Sequence, residues 1–383
     1  MRRMLTKAQI EALAGRGRLD PATAETLGGI KAKPATEFDT VSVNIGTDNK
    51  LYTTPTYTNP VGMSLIGFKP TEEHKTVQIV FPGPGTGSLT PIYINWGDGT
   101  IVSKNITNEE RFQSHTYTAP FKDIVVSFDA TNVEQINDFY NISYLSLNNN
   151  TKITNTSYLG LNNSKNSLIQ IDSLEAENAP GLGLFSNFQN LKKIGLLKLK
   201  TDGESLSNIF SDNKNLVEAP IMNTKGCTSV KSMFNCCINL ISVPTYNFSS
   251  VTDFTGLFEQ CYNLTVAPFL DTSAGTNFEK MFWLCKSIVE IPPYDLSNGI
   301  NLTNMVKSCE KLKYFHCKHI NANLDLSGCR SMTDRDALVE VINNLETTTT
   351  KKSLTFNTAQ RAVITAEDEA IVRGKGWGIW EVA

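Results

Sequence analysis

The chain has 383 residues, enough for two or three domains with buried cores. Lys and Arg number 35 against 38 Asp and Glu, a net charge of −3, so no overall basic pull draws it to nucleic acid or an anionic membrane. No apolar run approaches the roughly 20 residues that span a bilayer, so neither a nucleic-acid partner nor membrane insertion is expected.

The opening MRRMLTKAQI has a basic tip but no apolar h-region and no small-residue cleavage site. It reads as neither a signal peptide nor a lipid anchor. Thr6 and Gln9 have capping-box spacing, with Ile10 and Leu13 on one helical face. VSVNIGTDNKLYTT then alternates Val41, Val43 and Ile45 before a polar turn and Leu51. Residues 1–60 hold too little apolar mass to fold alone, so copies of the chain or a platform must order them. TTPTYTNP (53–60) reads as a semi-stiff linker.

Residues 61–130 carry strand-like runs TVQIVF, PIYINW and DIVVSF, separated by turn residues. The glycines of FPGPGTG (81–87) lack the following Lys-Ser/Thr of a phosphate loop and read as a proline-broken loop. No Ser or Cys nucleophile is tied by motif to Asp98 and His115.

Residues 131–330 are organised by a repeat. Pro220, Pro244, Pro268 and Pro292 keep one step, and so do Cys237, Cys261, Cys285 and Cys309. Phe210, Phe234, Phe258 and Phe282 form another column, continued by Val306. Leu216, Leu240, Leu264, Ile288 and Leu312 form a further one. The step is 24 residues, as from Pro220 to Pro244. A fixed period of this size marks stacked units, none of which can bury its apolar face alone. Phe185, Phe188 and Leu191 extend the register upstream of Phe210, Asn213 and Leu216, and YLSLNN (144–149), YLGLNN (158–163) and LIQI (168–171) read as shorter coils.

For the cysteine column three readings compete: a packed structural ladder, a disulfide network and a metal site. Cys packs as a small hydrophobe, and Asn213 holds the same place in the preceding copy, so a small side chain with a donor for turning carbonyls fits both. Parallel Cβ vectors in a ladder do not face one another for disulfides. The step looks nothing like CxxC metal pairs. Cys236, beside the column, should point the other way. HCKH (316–319) matches no common zinc module and reads as packing at the end of the repeat. No metal and no cofactor are expected.

Non-core columns vary: Asn235, Glu259, Trp283 and Lys307 follow the Phe column, and Ile238, Tyr262, Lys286 and Glu310 follow the Cys column. Trp283 and Tyr262, read as exposed aromatics, and their neighbours Glu259 and Lys286 are the candidate ligand contacts. A solvated face or a packing role is the bland alternative. From residue 331 the period stops. TDRDALVEVINNLE reads as a helix capped by Thr333 with Leu338, Ile342 and Leu345 as its stripe. SLTF follows as a strand, then a second helix capped by Thr365 and stopped by Gly374. Residues 331–383 would cover the last apolar face of the stack.

Three stretches resemble known families. The pattern L-x-x-[VI/A]-P…[M/L]-F-x-x-C over about residues 205–316 is similar to the BspA-like leucine-rich repeats of bacterial and phage surface proteins. INWGDGT (94–100) followed by SHTYTAPF (114–121) resembles the PKD family of immunoglobulin-like sandwiches, which implies that Trp96 and Tyr117 are core, that Gly97-Asp98-Gly99 makes a tight turn and that His115 packs beside it. PATAETLGGIK (21–31) resembles a stretch common near the start of bacteriophage head-fibre and tail-fibre proteins. Together the resemblances imply a mainly β chain: an intertwined N-terminal oligomerisation segment (1–60), a PKD-like sandwich (61–130), a leucine-rich-repeat solenoid (131–330) and a small α/β cap (331–383). The head-fibre resemblance implies a homotrimer whose Leu27, Gly28, Gly29 and Ile30 serve attachment to capsid or tail proteins.

The expected function is that of a non-enzymatic head fibre on the virion surface, made in the bacterial cytoplasm and contacting a host-surface glycan or protein. A tail fibre, or a bacterial leucine-rich-repeat adhesin, is the alternative. A glycan hydrolase would need paired carboxylates on facing elements, and the acids here are scattered through turns and caps.

Overall fold

A computed structural model describes residues 63–81, 90–130, 133–150, 153, 159, 161–180, 183–200 and 203–382, with the backbone of residues 43–45 and 51–53. The chain divides into two units, Met1–Thr58 and Asn59–Ala383. In the first, β1 (Val43–Ile45) pairs antiparallel with β2 (Leu51–Thr53), Val43 opposite Thr53. The expected Thr6–Gln9 capping box, the attachment residues Leu27, Gly28, Gly29 and Ile30, and most of the FPGPGTG loop lie outside the described residues.

The second unit is mainly β. Its chain begins with β3 (Ser64–Phe68), β4 (Thr76–Val80), β5 (Thr90–Asn95), β6 (Ile101–Ile106), β7 (Phe112–Thr116), β8 (Ile124–Phe128) and β9 (Gln135–Asn137). β3, β8, β5 and β6 pair antiparallel in that order; β4 sits between β7 and β9 in a second antiparallel sheet. Alternation sends Val77 and Ile79 of β4, Ile92 and Ile94 of β5, and Val126 and Phe128 of β8 into one core. Trp96 and Tyr117 are buried there, and the Tyr117 hydroxyl donates to the Trp96 carbonyl at 2.8 Å. Gly97 turns the chain at φ +80°, and a Cβ there would stand 2.3 Å from the Val125 carbonyl oxygen, so the turn needs glycine.

β10 (Ile142–Asn150) pairs antiparallel with β3 on one side and parallel with β11 (Gln170–Pro180) on the other. β11 pairs parallel with β12 (Lys193–Lys200), and β12 with β13 (Ile221–Met222). One eight-stranded sheet therefore runs from β6 to β13 across the boundary drawn at residue 130 in the sequence. Leu161, Asn162 and Asn163 of YLGLNN, with Ser164, make a 3-10 turn on the connection between β10 and β11, and Tyr144 of β10 pairs directly with Gln170 of β11.

Beyond β13 the pairing shrinks to single bridges with a constant step. Ser205, Ser229, Asp253, Asn277 and Asn301 form one parallel ladder, 24 residues per rung as in the Thr276–Thr252 bond. The amide of Phe210 donates to the Met233 carbonyl at 3.0 Å, and Phe234, Phe258 and Phe282 repeat the bond to Leu257, Met281 and Met305. The Phe rings stack at 5.3–5.9 Å from Phe185 through Phe282, within 21° of parallel. Two residues per coil adopt left-handed backbone, four apart: Asn208 and Asp212, Ser232 and Cys236, Gly256 and Gln260, Lys280 and Leu284, Asn304 and Ser308. Outside glycine this conformation costs about 1–2 kcal/mol, and the surrounding inter-coil bonds hold it.

β14 (Glu290–Ile291) pairs with β15 (Tyr314–Phe315), and β16 (Leu324–Asp325) opens the terminal sheet. Helix α1 (Arg335–Asn343) follows, capped by Asp334 rather than the expected Thr333; the Asp334 carboxylate accepts from the Asp336 amide at 2.8 Å. Asp reaches this amide two residues on and adds a negative charge at the helix N-terminus. Leu338 and Ile342 are buried; Leu345 lies past the helix and bridges to Ile320. β17 (Lys352–Asn357) leads through helix α2 (Thr358–Arg361) to helix α3 (Ala366–Gly374) and β18 (Trp377–Val382). Thr365 caps α3 in a full capping box with Asp368. The stop is not Gly374. Lys375 is the C-cap, and Gly376 takes φ +86°, where a Cβ would lie 2.2 Å from the Thr348 carbonyl oxygen.

Candidate interaction face

Each coil sends its fixed columns inward. Cys237, Cys261, Cys285 and Cys309 are fully buried, and their thiols donate to the carbonyls of Phe210, Phe234, Phe258 and Phe282 at 3.0–3.2 Å. Each thiol therefore satisfies a carbonyl of the neighbouring coil where the chain turns. Asn213 does the same from the preceding coil: its Nδ2 donates to the Phe185 carbonyl at 2.7 Å and its Oδ1 accepts from the Phe188 amide at 2.8 Å. All eight cysteines are free. Burial pushes the Cys309 thiol up to about 12, and holds Cys261 and Cys285 well above their ordinary 9.0. These are packed donors with little thiolate character. Cys236 is half-buried in a left-handed turn position; burial, then Asp212 and Glu259, raise its thiol.

The varying columns face outward. Glu259 and Trp283 occupy one of them in successive coils, as the Gln260 amide bonds to the Trp283 carbonyl at 2.7 Å. Tyr262 and Lys286 occupy another and touch: the Lys286 ammonium lies 5.4 Å from the Tyr262 ring centre. The Trp283 ring is covered by Lys280, 5.1 Å away. Trp283 and Tyr262 are half-buried, not the open aromatics expected from the sequence, and a lysine ammonium lies over each ring. Glu259 is likewise half-buried, and Lys286 is exposed.

Three of the histidines hold a turn or a joint. His115 bonds to the Asp98 carboxylate at 2.7 Å and stacks on Trp96 at 5.1 Å, fixing the Gly97–Gly99 turn. Burial would raise the Asp98 carboxyl, but the Thr100 amide and His115 outweigh it and hold it below its ordinary value. His316 contacts Glu340 at 2.8 Å and Glu290 at 3.4 Å, and His319 contacts Glu346 at 2.7 Å, joining the last coils to α1 and the chain beyond it. Among the described residues no group of three His, Cys, Asp or Glu side chains is set to hold a metal. Among them, too, no helix is long and apolar enough to cross a membrane.

Sequence reasoning did not single out the exposed apolar residues of the coils. Ile221 and Phe269 are exposed two 24-residue steps apart, Val217, Ile241 and Val289 are exposed in a second column that Thr265 interrupts, and Val266 is exposed in a third. The signal for the first two columns was present: their apolar residues keep the 24-residue register without belonging to a buried column.

Residues 204–318 match a family model described as "Mycoplasma protein of unknown function, DUF285". The match covers less than a third of the chain and coincides with the 24-residue coils. No curated protein matches the chain, and no solved structure does.

Proposed function

We propose that this protein is a non-enzymatic structural appendage of a bacteriophage virion, a head fibre displayed on the capsid that contacts the host cell surface or its glycans. The coils act as a leucine-rich-repeat solenoid of BspA-like type, the strands from β3 to β8 as a PKD-like spacer, and the terminal α/β segment as a cap. The first 60 residues attach the fibre to capsid or tail proteins and join three copies, with Leu27, Gly28, Gly29 and Ile30 at the attachment.

One observation carries this reading. The Phe and Cys columns are consumed in packing, while each coil presents the same outward positions filled by different side chains, such as Glu259 and Trp283 or Tyr262 and Lys286. That is a frame for display, and its outer columns suit recognition more than bond-making. Purified virions labelled with an antibody to the coils test it. Label on the capsid is the expected result; label on the tail would make the protein a tail fibre. Virions without label, with label on the bacterial envelope instead, would overturn the virion assignment in favour of an adhesin.

A further inference from the structure

The outer face of the terminal sheet carries an arrangement that the coil columns do not use. β17 buries Leu354 and Phe356, so alternation turns Ser353 and Thr355 outward. β18 buries Trp377 and pairs Gly378 with Ser353 and Trp380 with Thr355, which brings Gly378 and Trp380 to the same outer side. β16 adds Asp325 opposite Thr355, and the Asn323 side chain accepts from the Ser353 amide at 2.8 Å. Two rows thus cross the sheet, Asn323–Ser353–Gly378 and Asp325–Thr355–Trp380, and the second ends on an indole.

Trp380 is 58% exposed. A single exposed aromatic is ordinary; this one stands beside a cleared floor. Gly378 is not among the left-handed glycines, so its backbone does not demand glycine. A Cβ there would sit 3.7 Å from both Trp380 Nε1 and Lys351 Cε. The missing side chain leaves a flat floor between ring and ammonium stem. The groove measures about 590 Å³, and Asn323, Lys351, Ser353, Thr355, Trp380 and Glu381 are among its walls.

An apolar plate ringed by hydroxyls, an amide and an ammonium matches a pyranose, which offers a C–H face to an aromatic ring and a rim of hydroxyls to donors and acceptors. A protein partner covering the same groove would have to desolvate and pair Lys351; a sugar leaves its end in water. We propose that the outer face of the terminal β16–β17–β18 sheet, centred on Trp380, is a saccharide-binding site. It lies apart from the coil columns and does not depend on attachment to a virion.

The full-length protein is titrated calorimetrically with soluble di- to hexasaccharides of glucose, galactose, mannose and N-acetylglucosamine at millimolar concentration. At least one binds, and in its presence the Trp380 indole N–H resonance shifts. Trp380→Ala weakens that saccharide by about tenfold, the order of one aromatic stacking contact, with an unchanged melting curve. Trp380→Phe retains most of the affinity, and Trp283→Ala leaves it unaltered. The proposal is overturned if no saccharide of the panel binds, if binding survives Trp380→Ala, or if Trp283→Ala abolishes it. Failure of virion labelling would leave these results untouched.

Discussion

The Cys261 thiol donates to the Phe234 carbonyl across 3.2 Å, 27 residues back along the chain. The same bond recurs from Cys237 to Phe210, from Cys285 to Phe258 and from Cys309 to Phe282. A residue type associated with redox and metal chemistry is thereby used as a small core side chain with one donor. Replacing Cys261 by Ala removes this partner from the Phe234 carbonyl, which still accepts from the Cys237 amide at 3.1 Å, and should cost about 0.5–1.5 kcal/mol for the lost bond. Cys261→Ser keeps a donor and should cost less. Urea midpoints of the two variants check the order; equal losses would remove the hydrogen bond from the account.

Phe258 lies between Phe234 and Phe282, 5.7 and 5.4 Å from their ring centres. Phe258→Ala opens a cavity in a ladder that cannot collapse without shifting two neighbours, and should destabilise by about 3–5 kcal/mol. Trp283→Ala removes a half-buried ring under Lys280, an exposed cation–π contact of about 0.5–1 kcal/mol. Thermal melts of the pair should separate clearly. A drop as steep for Trp283→Ala as for Phe258→Ala would make Trp283 a core residue.

Thiol accessibility should follow burial. At mildly alkaline pH an aromatic disulfide reagent should modify Cys236 in the folded protein and reach Cys227, Cys237, Cys261, Cys285, Cys309, Cys317 and Cys329 only on unfolding. Rapid native labelling of any of the seven would show an open interior.

Alkaline stability should follow from the same burial. Desolvation raises Cys227 and Cys309 to about 12 from an ordinary 9.0. Between those values the unfolded chain has released protons that the folded chain retains. Stability is therefore complete below pH 9 and falls as pH rises toward 12, by about 1.4 kcal/mol per pH unit for each such thiol. Urea midpoints taken upward from pH 8 should decline with the wild type, and less steeply with Cys309→Ala relative to its own value at pH 8.

At the other end of the pH scale the terminal segment is the exposed joint. The Asp368 carboxylate is buried, which raises its pKa, but the Thr365 amide and hydroxyl and the Arg335 guanidinium, at 2.9 Å to both oxygens, lower it further. The net shift is downward, so its stabilisation is present above the ordinary 3.8 and is lost as pH falls below it. Arg335→Ala should destabilise this segment by about 1–3 kcal/mol, read by hydrogen exchange in α3.

What could be read from the sequence was what repeats. Identical spacing of Pro220, Cys237 and Phe210 with their successors fixed the coil length and the inward columns, because packing columns tolerate little change. Turn chemistry was less legible. The cap Asp334 competes with the adjacent Thr333, which differs only in local geometry, and Gly374 and Gly376 are equivalent on paper until the Thr348 carbonyl excludes a Cβ at the second. β18, with its pattern of WGIWEV, is too short and too polar at its end to announce a strand; pairing with β17 makes it one. Exposure of Trp283 and Tyr262 could not be judged either, since the covering lysines come from three residues away and from the next coil.

Removing one whole coil tests the structural claim most directly. Deletion of residues 253–276 joins Thr252 to Asn277, which occupies the same bridge position as Asp253. The shortened chain should remain soluble, keep its far-UV dichroism and melt cooperatively, because each neighbouring column meets its next equivalent. A deletion of similar size out of register should unfold it. If the in-register deletion collapses the protein as completely as the out-of-register one, the coils are not interchangeable units and the stacked account is wrong.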